Sequence, residues 1–216
     1  MKVLELFAGT RSIGKAFEEK GHEVYSVEWD KRFKDIDLYE DVLNLNIDDV
    51  VEKFGYPDVI WASPDCSTYS IASISHHRRK DDHGNLVPVS EYAKFCDRVN
   101  QHVLCLMLAL SPKYWFIENP RGGMRKMDFM NGLKRYTITY CQYGDTRMKP
   151  TDIWTNHPNP MFKPPCKNGD PCHVKAPRGA KTGTQGLKGS IERSHIPTKF
   201  CEHIVNICER GGTLSE

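Results

Sequence analysis

The chain has 216 residues and a formal net charge of +2, so it can form one domain with a sizeable core and is close to neutral overall. Its longest apolar run, HVLCLMLALSP, is too short to span a bilayer, and we therefore expect no membrane partner. A predicted strand follows Met1 almost at once, so we expect no signal peptide. With eight scattered cysteines, this indicates free thiols in a reducing cytoplasm.

Strands and helices alternate along most of the chain. The predicted strands are, in order, KVLELF, HEVYSVEWD, PDVIWAS, YWFIENP, LKRYTITYCQYG and TDIWTN. The predicted helices are IGKAFEEKG, DVVEKFG, SEYAKFCDRVNQHVLCLMLALSP and, near the end, PTKFCEHIVNICERGG. In the first helix, Ile13, Ala16 and Phe17 have helical spacing and Gly21 is a plausible stop. This alternation predicts an α/β fold with a doubly wound, mostly parallel sheet.

A Pro-, Gly- and Lys-rich segment interrupts this pattern before the last helix. Residues 156–200 contain eight Lys or Arg against two Asp or Glu. An irregular stretch of this length is usually functional, and local positive charge suits phosphate, although a solvated loop has the same composition. We therefore expect a main domain over residues 1–156, a short irregular basic insert over 157–192, and a C-terminal helix over 193–216 that returns to the main domain.

Small residues follow the first predicted strand, where LELFAGTRS passes into a helix. Gly9 lets the backbone approach a ligand closely, and the N–H groups of the helix start point towards it. Glu28 ends the second strand, where an acid commonly binds ribose hydroxyls, and Asp41 could accept a hydrogen bond from an adenine amino group. The motif is not a full G-x-G-x-x-G, and an ordinary turn with two exposed acids would give the same pattern.

Cys66 in WASPDCSTYS follows the third predicted strand, two residues after Pro64. Glu118 in FIENP lies at the end of the fourth. Because the carboxyl ends of parallel strands share one edge of the sheet, both side chains can face the same crevice. A thiol and a carboxyl group in one cleft suit covalent catalysis with a proton donor nearby. A lone cysteine at a strand end is more often structural than catalytic. The presence of Glu118 at a matching strand end makes the structural alternative less favoured here.

Four segments in this order, LELFAGTRSIG, SPDCSTYS, FIENP and YCQYGDTR, resemble the motifs of the DNA cytosine 5-methyltransferase family. The resemblance covers residues 2–156 and resumes at RSHIPTKFCEHIV, which is similar to the closing helix of the family. It implies a Rossmann-like class I methyltransferase that uses S-adenosylmethionine and acts on a flipped-out cytosine in double-stranded DNA. A small, divergent, prokaryotic or phage-encoded enzyme of the cytoplasm is the corresponding expectation.

The resemblance also implies a role for individual residues. Cys66 would be the nucleophile, Glu118 and Asn119 would contact the cytosine, and Arg147 would assist. The implied cofactor-binding residues come from the first motif and from the ends of neighbouring strands: Phe7, Ala8, Gly9, Thr10, Arg11, Ser12, Glu28, Trp29, Asp41 and Pro64.

This sequence departs from the family at four places. Asp65 replaces a second Pro, Ser67 replaces a Gln, Lys149 and Pro150 follow where a second Arg is common, and Glu5 replaces an Asp. An Asp65 carboxylate that faced the sulfur would raise the pKa of the Cys66 thiol, so we expect this side chain to point away. A nearby cation such as Arg147 would favour the thiolate.

Two basic segments are candidates for DNA contacts. The loop SISHHRRKDDHG follows Cys66, and in the family this loop closes over the flipped base. Its candidate phosphate contacts are His77, Arg78, Arg79 and Lys80. The alternative is a charged loop that only contacts solvent. The insert APRGAKTGTQGLKGS is expected to be a flexible arm that orders on DNA. Its candidate contacts are Arg178, Lys181, Gln185 and Lys188.

Cys166, Cys172 and His173 lie close together in the sequence, and His157 precedes them. Zinc is conceivable, but the spacing is not of the C-x-x-C type, so we expect free surface thiols and no metal.

The rival functions are transfer to RNA or a nucleotide, transfer of a modified one-carbon group, and a catalytically silent nucleic-acid-binding module.

Overall fold

The computed structural model describes residues 1–175 and 189–211. The strands are β1 (Lys2–Leu6), β2 (Glu23–Val27), β3 (Val59–Ala62), β4 (Arg78–Lys80), β5 (Leu86–Pro88), β6 (Tyr114–Pro120), β7 (Arg135–Thr139) and β8 (Pro150–Thr155). The α-helices are α1 (Ser12–Glu18), α2 (Ile47–Lys53), α3 (Ile74–His77), α4 (Glu91–Leu110), α5 (Ser190–Ser194) and α6 (Thr198–Arg210). Short 3₁₀ helices occupy Val42–Asn44, Gly123–Lys126, Asp128–Met130 and Tyr140–Tyr143.

Six strands form one sheet in the order β2-β1-β3-β6-β8-β7. Neighbours from β2 to β6 run parallel, whereas β8 is antiparallel to both β6 and β7. The prediction of a mostly parallel, doubly wound sheet is confirmed. The chain leaves β1 towards β2 and later returns to β3 on the other side, so the strand order reverses between β1 and β3. In open α/β sheets, ligands bind outside the carboxyl ends of the strands at this point.

Helices cover both faces of the sheet. All four residues of β3, VIWA, are buried, as expected of a central parallel strand with helices on both sides. On one face, α1 and α6 pack through Phe17 and Phe200. On the other face, α2 and α4 pack through Val50 and Leu106. The site-bearing loops therefore rise from a rigid three-layer core.

The segment after Cys66 is not the simple loop that we expected. Its second half forms a β-hairpin in which Arg78 is paired with Pro88 and Lys80 with Leu86. The Asp81 carboxylate accepts hydrogen bonds from the backbone N–H groups of His83 and Asn85 and so organises the turn. Gly84 has φ +82°, a conformation that costs glycine little. The turn residues were visible in DDHGN, but the flanking strands are too short to stand out.

The first part of the insert packs against the main domain. His157 Nε2 lies 3.1 Å from the carbonyl oxygen of Ile207 on α6, and the backbone N–H of Lys163 donates to the Tyr143 hydroxyl at 2.9 Å. The Phe162 ring lies 5.9 Å from the Phe200 ring. The boundary between residues 156 and 157 stays a prediction.

Candidate active site

The loop between β1 and α1 has an unusual backbone. Phe7, Gly9 and Arg11 have φ values of 56°, 51° and 56°. The backbone N–H of Gly9 donates to Glu28 Oε2 at 3.0 Å, and that of Asp30 donates to Glu28 Oε1 at 2.9 Å. The Glu28 carboxylate thus ties the ends of β1 and β2 together, and each oxygen keeps a lone pair for a ligand.

The Arg11 side chain turns away from the crevice towards α1. Its Nη2 donates to Glu18 Oε1 at 2.5 Å, and its Nε lies 4.0 Å from Glu5 Oε2. Glu5 is buried and accepts a hydrogen bond from the backbone N–H of Gly14 at 3.0 Å. Burial raises the pKa of Glu5 to about 7, although Gly14 and Arg11 oppose this. Only the backbone of Arg11 is therefore placed to meet a cofactor.

Thr10 and Ser12 stand on the other side of the same loop. Thr10 Oγ1 lies 2.9 Å from Ser12 Oγ, which lies 3.4 Å from His195 Nδ1. Thr10 also lines a second cavity, together with Arg147 and the start of α6 at Thr198. The loop that carries Phe7 to Ser12 therefore separates two concave surfaces.

A cavity of about 290 Å³ lies at the switch point between β1 and β3. It brings together five of the predicted cofactor-binding residues: Phe7, Glu28, Trp29, Asp41 and Pro64. The apolar side chains Val27, Val42, Phe95 and Val99 complete much of its wall. Trp29 is 67 % exposed, so its indole ring is accessible to a ligand. An apolar cleft with a few carboxylates is a typical small-molecule site.

Cys66 lies in a tight turn just after β3. Its carbonyl oxygen accepts hydrogen bonds from the backbone N–H groups of Tyr69 and Ser70 at 3.0 and 2.9 Å. The Asp65 carboxylate accepts hydrogen bonds from the backbone N–H of Ser67 and from the Tyr92 hydroxyl. These bonds hold Asp65, but its charge still reaches the thiol.

The Cys66 thiol is protonated at neutral pH in this environment. Burial raises its pKa to about 11, the charges of Asp65 and Glu118 add to this, and the positive charge of Lys149 opposes it. At pH 8 only about one thiol in a thousand is then ionised. A bound substrate and its neighbours must therefore favour the thiolate during reaction.

Strand β6 brings Glu118 and Asn119 next to the Cys66 loop. Ala62 at the end of β3 is registered with Ile117, one residue before Glu118. Asn119 Nδ2 donates to the Pro64 carbonyl oxygen at 3.0 Å, which joins β6 to the loop. The buried Glu118 accepts a hydrogen bond from the Tyr140 hydroxyl at 3.0 Å. The structure thus brings the predicted nucleophile and the predicted carboxyl group to one edge of the sheet.

Arg147 is buried in the following loop and is held by Asp145. Its Nε and Nη2 donate to the Asp145 carboxylate at 3.0 and 2.5 Å, while its Nη1 has no hydrogen-bond partner among residues 1–175 and 189–211. Much of its charge is therefore neutralised before any substrate arrives.

Lys149 is the cation that sequence reasoning missed as a functional residue. Its ammonium lies 4.7 Å from the centre of the Tyr140 ring and interacts electrostatically with Glu118 and Cys66. Burial lowers the pKa of Lys149, and the negative charge of Glu118 opposes this. The sequence showed Lys149 only as a departure from a common second Arg, without indicating that it acts on Cys66.

The assignment of Arg78 to DNA binding is corrected by the structure. Its guanidinium is buried and donates to both Asp97 oxygens at 3.0 and 2.7 Å, to the Thr68 carbonyl oxygen at 2.9 Å, and lies 4.1 Å from the Tyr69 ring centre. It cannot meet a phosphate from this position. In the same segment, His77 is partly buried against Ser90, with Nδ1 2.9 Å from Oγ.

Arg79 and Lys80 are exposed on β4 and stay candidates for DNA contacts. The candidates in the insert, Arg178, Lys181, Gln185 and Lys188, lie outside the described residues.

The cysteines of the insert are not simple surface thiols. Cys166 is buried, and the structure places it with Cys172, His173 and a residue that the sequence did not suggest, Cys141. His157 is elsewhere, packed on the Tyr114 ring at 4.5 Å.

Among the described helices, none combines the length and apolar character that a membrane span requires.

The C-5 cytosine-specific DNA methylase family model matches residues 1–141. Over 225 residues the chain is 26 % identical to a protein of Frog virus 3 (isolate Goorha) named "Probable DNA (cytosine-5)-methyltransferase", covering 96 % of this chain and 100 % of that relative.

Two solved structures share the fold. One is a proposed DNA modification methyltransferase encoded within a prophage (E. coli), with a TM-score of 0.51, 17 % identity, and coverage of 72 % of this chain and 46 % of that one. The other is the Entamoeba histolytica methyltransferase EhMeth, with a TM-score of 0.50, 15 % identity, and coverage of 72 % and 52 %. This chain therefore spans about half the length of these structures. Since the family match includes the turn after β1, the Cys66 loop and Glu118 on β6, the chain belongs to the C-5 cytosine-specific DNA methylases.

Proposed function

We propose that the protein methylates carbon 5 of a flipped-out cytosine in double-stranded DNA through a covalent adduct of Cys66. The observation that carries the proposal is the meeting of Cys66, Glu118 and Lys149 at the carboxyl edge of the sheet. Membership of the family implies methyl transfer to cytosine in DNA with S-adenosylmethionine as the donor. The covalent route, the duplex substrate and the individual residue roles are the proposed part.

The cavity beside β1 suits the adenosine part of S-adenosylmethionine, which supplies an electrophilic methyl group when it is bound. Glu28 and Asp41 provide acceptors for ribose hydroxyls and an adenine amino group, and Trp29 provides an aromatic surface for the ring. Phe7 and Pro64 supply further apolar wall. The second cavity lies on the other side of the same loop, beside Thr10, and is the candidate site for the polar methionine part of S-adenosylmethionine.

Cys66 and Glu118 divide the work on the base. The Cys66 sulfur forms a bond to carbon 6, and the electron pair of the ring shifts towards carbon 5. Glu118 hydrogen-bonds ring nitrogen 3 and the exocyclic amine, which favours this addition. Lys149 stabilises the thiolate before attack. After methylation of carbon 5, a base takes up the proton on carbon 5, the released electron pair re-forms the double bond between carbons 5 and 6, and the carbon–sulfur bond breaks to regenerate the Cys66 thiolate.

A double-stranded substrate is supported by the chemistry and by the exposed cations. Within a duplex, both faces of cytosine are stacked, so the base must be extruded at a cost of a few kcal/mol. Arg79 and Lys80 on the hairpin can contact phosphates, and the binding free energy of these contacts offsets part of the cost of extruding the base. A cytoplasmic location stays a prediction.

The test starts with the product, because the target sequence is unknown. Bisulfite sequencing of DNA from cells that express the chain identifies the methylated context. Duplexes with 5-fluorocytosine in that context should then form a denaturation-resistant adduct with the protein in the presence of S-adenosylmethionine, because fluorine cannot leave as a proton does.

Cys66→Ser should abolish the adduct and lower turnover by at least about 10³-fold while cofactor affinity is kept. The exposed Cys105 offers a matched control, and Cys105→Ser should behave like the wild type. Normal turnover of Cys66→Ser would contradict the nucleophile assignment. If the protein were trapped preferentially on RNA or on single-stranded DNA, that nucleic acid would replace duplex DNA as the proposed substrate. Binding without any trapping would indicate a catalytically silent binding module.

A further inference from the structure

Four side chains from two distant segments converge beside the sheet. Cys141 lies in the 3₁₀ helix Tyr140–Tyr143 after β7, and Cys166, Cys172 and His173 come from the first part of the insert. One potential ligand atom from each lies within 4.8 Å of all the others. This group takes no part in the methyl-transfer site described above.

Three of the four separations below match those of a tetrahedral zinc centre, and the fourth, between Cys141 and Cys166, is shorter by about 0.4 Å. Cys141 Sγ lies 3.1 Å from Cys166 Sγ and 3.5 Å from Cys172 Sγ. His173 Nδ1 lies 3.7 Å from Cys166 Sγ and 3.6 Å from Cys172 Sγ. Zinc–sulfur and zinc–nitrogen bonds of ordinary length give ligand–ligand distances of about 3.5–3.8 Å. A disulfide needs sulfurs about 2.05 Å apart, so the closest pair here is not one.

The local chain is built to bring these groups together. A turn after Cys166 returns the chain to Cys172. It is closed by two hydrogen bonds: the backbone N–H of Lys167 donates to the Asp170 carboxylate, and the backbone N–H of Asp170 donates to the Lys167 carbonyl oxygen. Gly169 has φ +99° within this turn. The backbone N–H of Cys166 donates to Thr139 Oγ1 at 3.0 Å, which anchors the first thiol to β7.

The geometry points to a structural Zn²⁺ site in which Cys141, Cys166, Cys172 and His173 supply the four ligands. Three soft sulfur ligands and one imidazole select zinc over the hard cations Ca²⁺ and Mg²⁺. Four protein ligands leave no open position, which is typical of structural zinc rather than catalytic zinc. His173 would bind through Nδ1, the nitrogen that faces the sulfurs. The three thiols would lose their protons to solvent on binding.

Such an ion would hold the insert beside the loop that carries Arg147. Directly after His173, the backbone N–H of Val174 donates to the Thr146 carbonyl oxygen at 2.8 Å. Gln142, next to Cys141, donates through Nε2 to Cys172 Sγ at 3.8 Å. The metal would thus link the 3₁₀ helix after β7 to the insert, and Val174 joins the insert to the 144–149 loop beside it.

The first test is the metal content of the full-length wild-type chain. After expression in zinc-supplemented medium and gel filtration, elemental mass spectrometry should find about one zinc per chain. Replacement by Co²⁺ should give the intense visible absorption of a tetrahedral, thiolate-rich site. Less than about a fifth of an equivalent of zinc in folded protein, with no such cobalt spectrum, would overturn the proposal.

Variants assign the ligands. Cys172→Ser and His173→Ala should each lose most of the zinc, whereas Cys105→Ser, at an exposed cysteine on α4, should keep it. If these variants fail to fold, chelator treatment of the wild type provides the second measurement: it should lower Tm, and added Zn²⁺ should restore it. A Cys172→Ser variant that keeps full zinc, or a Cys141–Cys166 disulfide found by non-reducing peptide mass spectrometry, would contradict the site. Because these measurements do not involve methyl transfer, they stand apart from the proposed function.

Discussion

At the scale of single residues, the charge around Cys66 decides how the thiol can react. Burial of the sulfur disfavours the thiolate most, and the carboxylates of Asp65 and Glu118 add to this. Arg147, the cation expected to help, is held by Asp145 in two hydrogen bonds from its side chain. Lys149 is the group whose positive charge lowers the pKa of Cys66. Its own pKa is lowered by burial, so this help depends on pH.

Replacing Lys149 should therefore shift the pH dependence of adduct formation. The thiolate of the free enzyme increases as pH rises towards about 11, and Lys149→Met removes a charge that favours it, so the rising limb should move to higher pH. We expect trapping on 5-fluorocytosine DNA at pH 8 to slow by roughly tenfold, which corresponds to one unit of thiol pKa.

Lys149→Arg is the matched control, because it keeps the charge and should recover most of the rate at pH 8. The measurement is the single-turnover rate between pH 6 and pH 10. An unchanged profile in Lys149→Met would show that Lys149 does not activate the thiol.

At the scale of secondary-structure elements, the β4–β5 hairpin, the Cys66 loop and α4 are joined by one buried cation. Arg78 on β4 binds the backbone and side chain of Thr68 in the loop and the carboxylate of Asp97 on α4. Tyr69 donates to the same carboxylate at 2.7 Å, and Asn100 donates to the Tyr69 hydroxyl at 3.0 Å. This network holds the residues just after the nucleophile in place.

Arg78→Met should destabilise the fold, because it leaves the Asp97 carboxylate and the Thr68 carbonyl without a cation. Breaking one partner of a buried ion pair costs about 3–5 kcal/mol. Urea unfolding followed by circular dichroism measures this change.

The neighbouring Arg79 gives a sharp control, since it is exposed on the same strand. Arg79→Met should change stability by less than about 0.5 kcal/mol and should reduce the salt dependence of DNA binding. If Arg78→Met instead kept full stability and lost DNA affinity, Arg78 would be a phosphate contact after all.

At the scale of the whole molecule, α6 connects the sheet with the start of the insert. The fully buried Phe200 ring lies 6.3 Å from Trp61, 4.9 Å from Tyr143 and 5.9 Å from Phe162. These partners belong to β3, to the 3₁₀ helix after β7 and to the insert. We therefore expect the sheet, α6 and residues 157–175 to unfold together.

Phe200→Ala should lower the free energy of unfolding by about 3–5 kcal/mol, the usual cost of truncating a buried aromatic side chain. Leu108→Ala is the control, because Leu108 on α4 is 81 % exposed and its loss should cost less than about 0.5 kcal/mol. Thermal unfolding of the variant, measured by far- and near-ultraviolet circular dichroism, should give coincident single transitions. A separate early transition for the insert would contradict one cooperative unit.

Much of the fold was predictable because its signals are local. Residues close together in the sequence are enough to recognise the apolar run of β3, the helical spacing in α1 and the proline and glycine stops. The hairpin at Arg78 and the 3₁₀ helix at Tyr140 were missed, since three-residue strands and one-turn helices carry too little periodicity to be recognised.

The sequence by itself determined the α/β architecture, the family resemblance and the identities of Cys66 and Glu118. This was possible because strand periodicity and short motifs can be recognised without knowing which residues are in contact. Only the tertiary structure decided that Arg78 is buried, that Lys149 rather than the Asp145-bound Arg147 favours the thiolate, and that Cys141 joins Cys166, Cys172 and His173. The physical reason is that burial, charge and ligand geometry depend on distances between residues that the fold brings together from far apart in the chain.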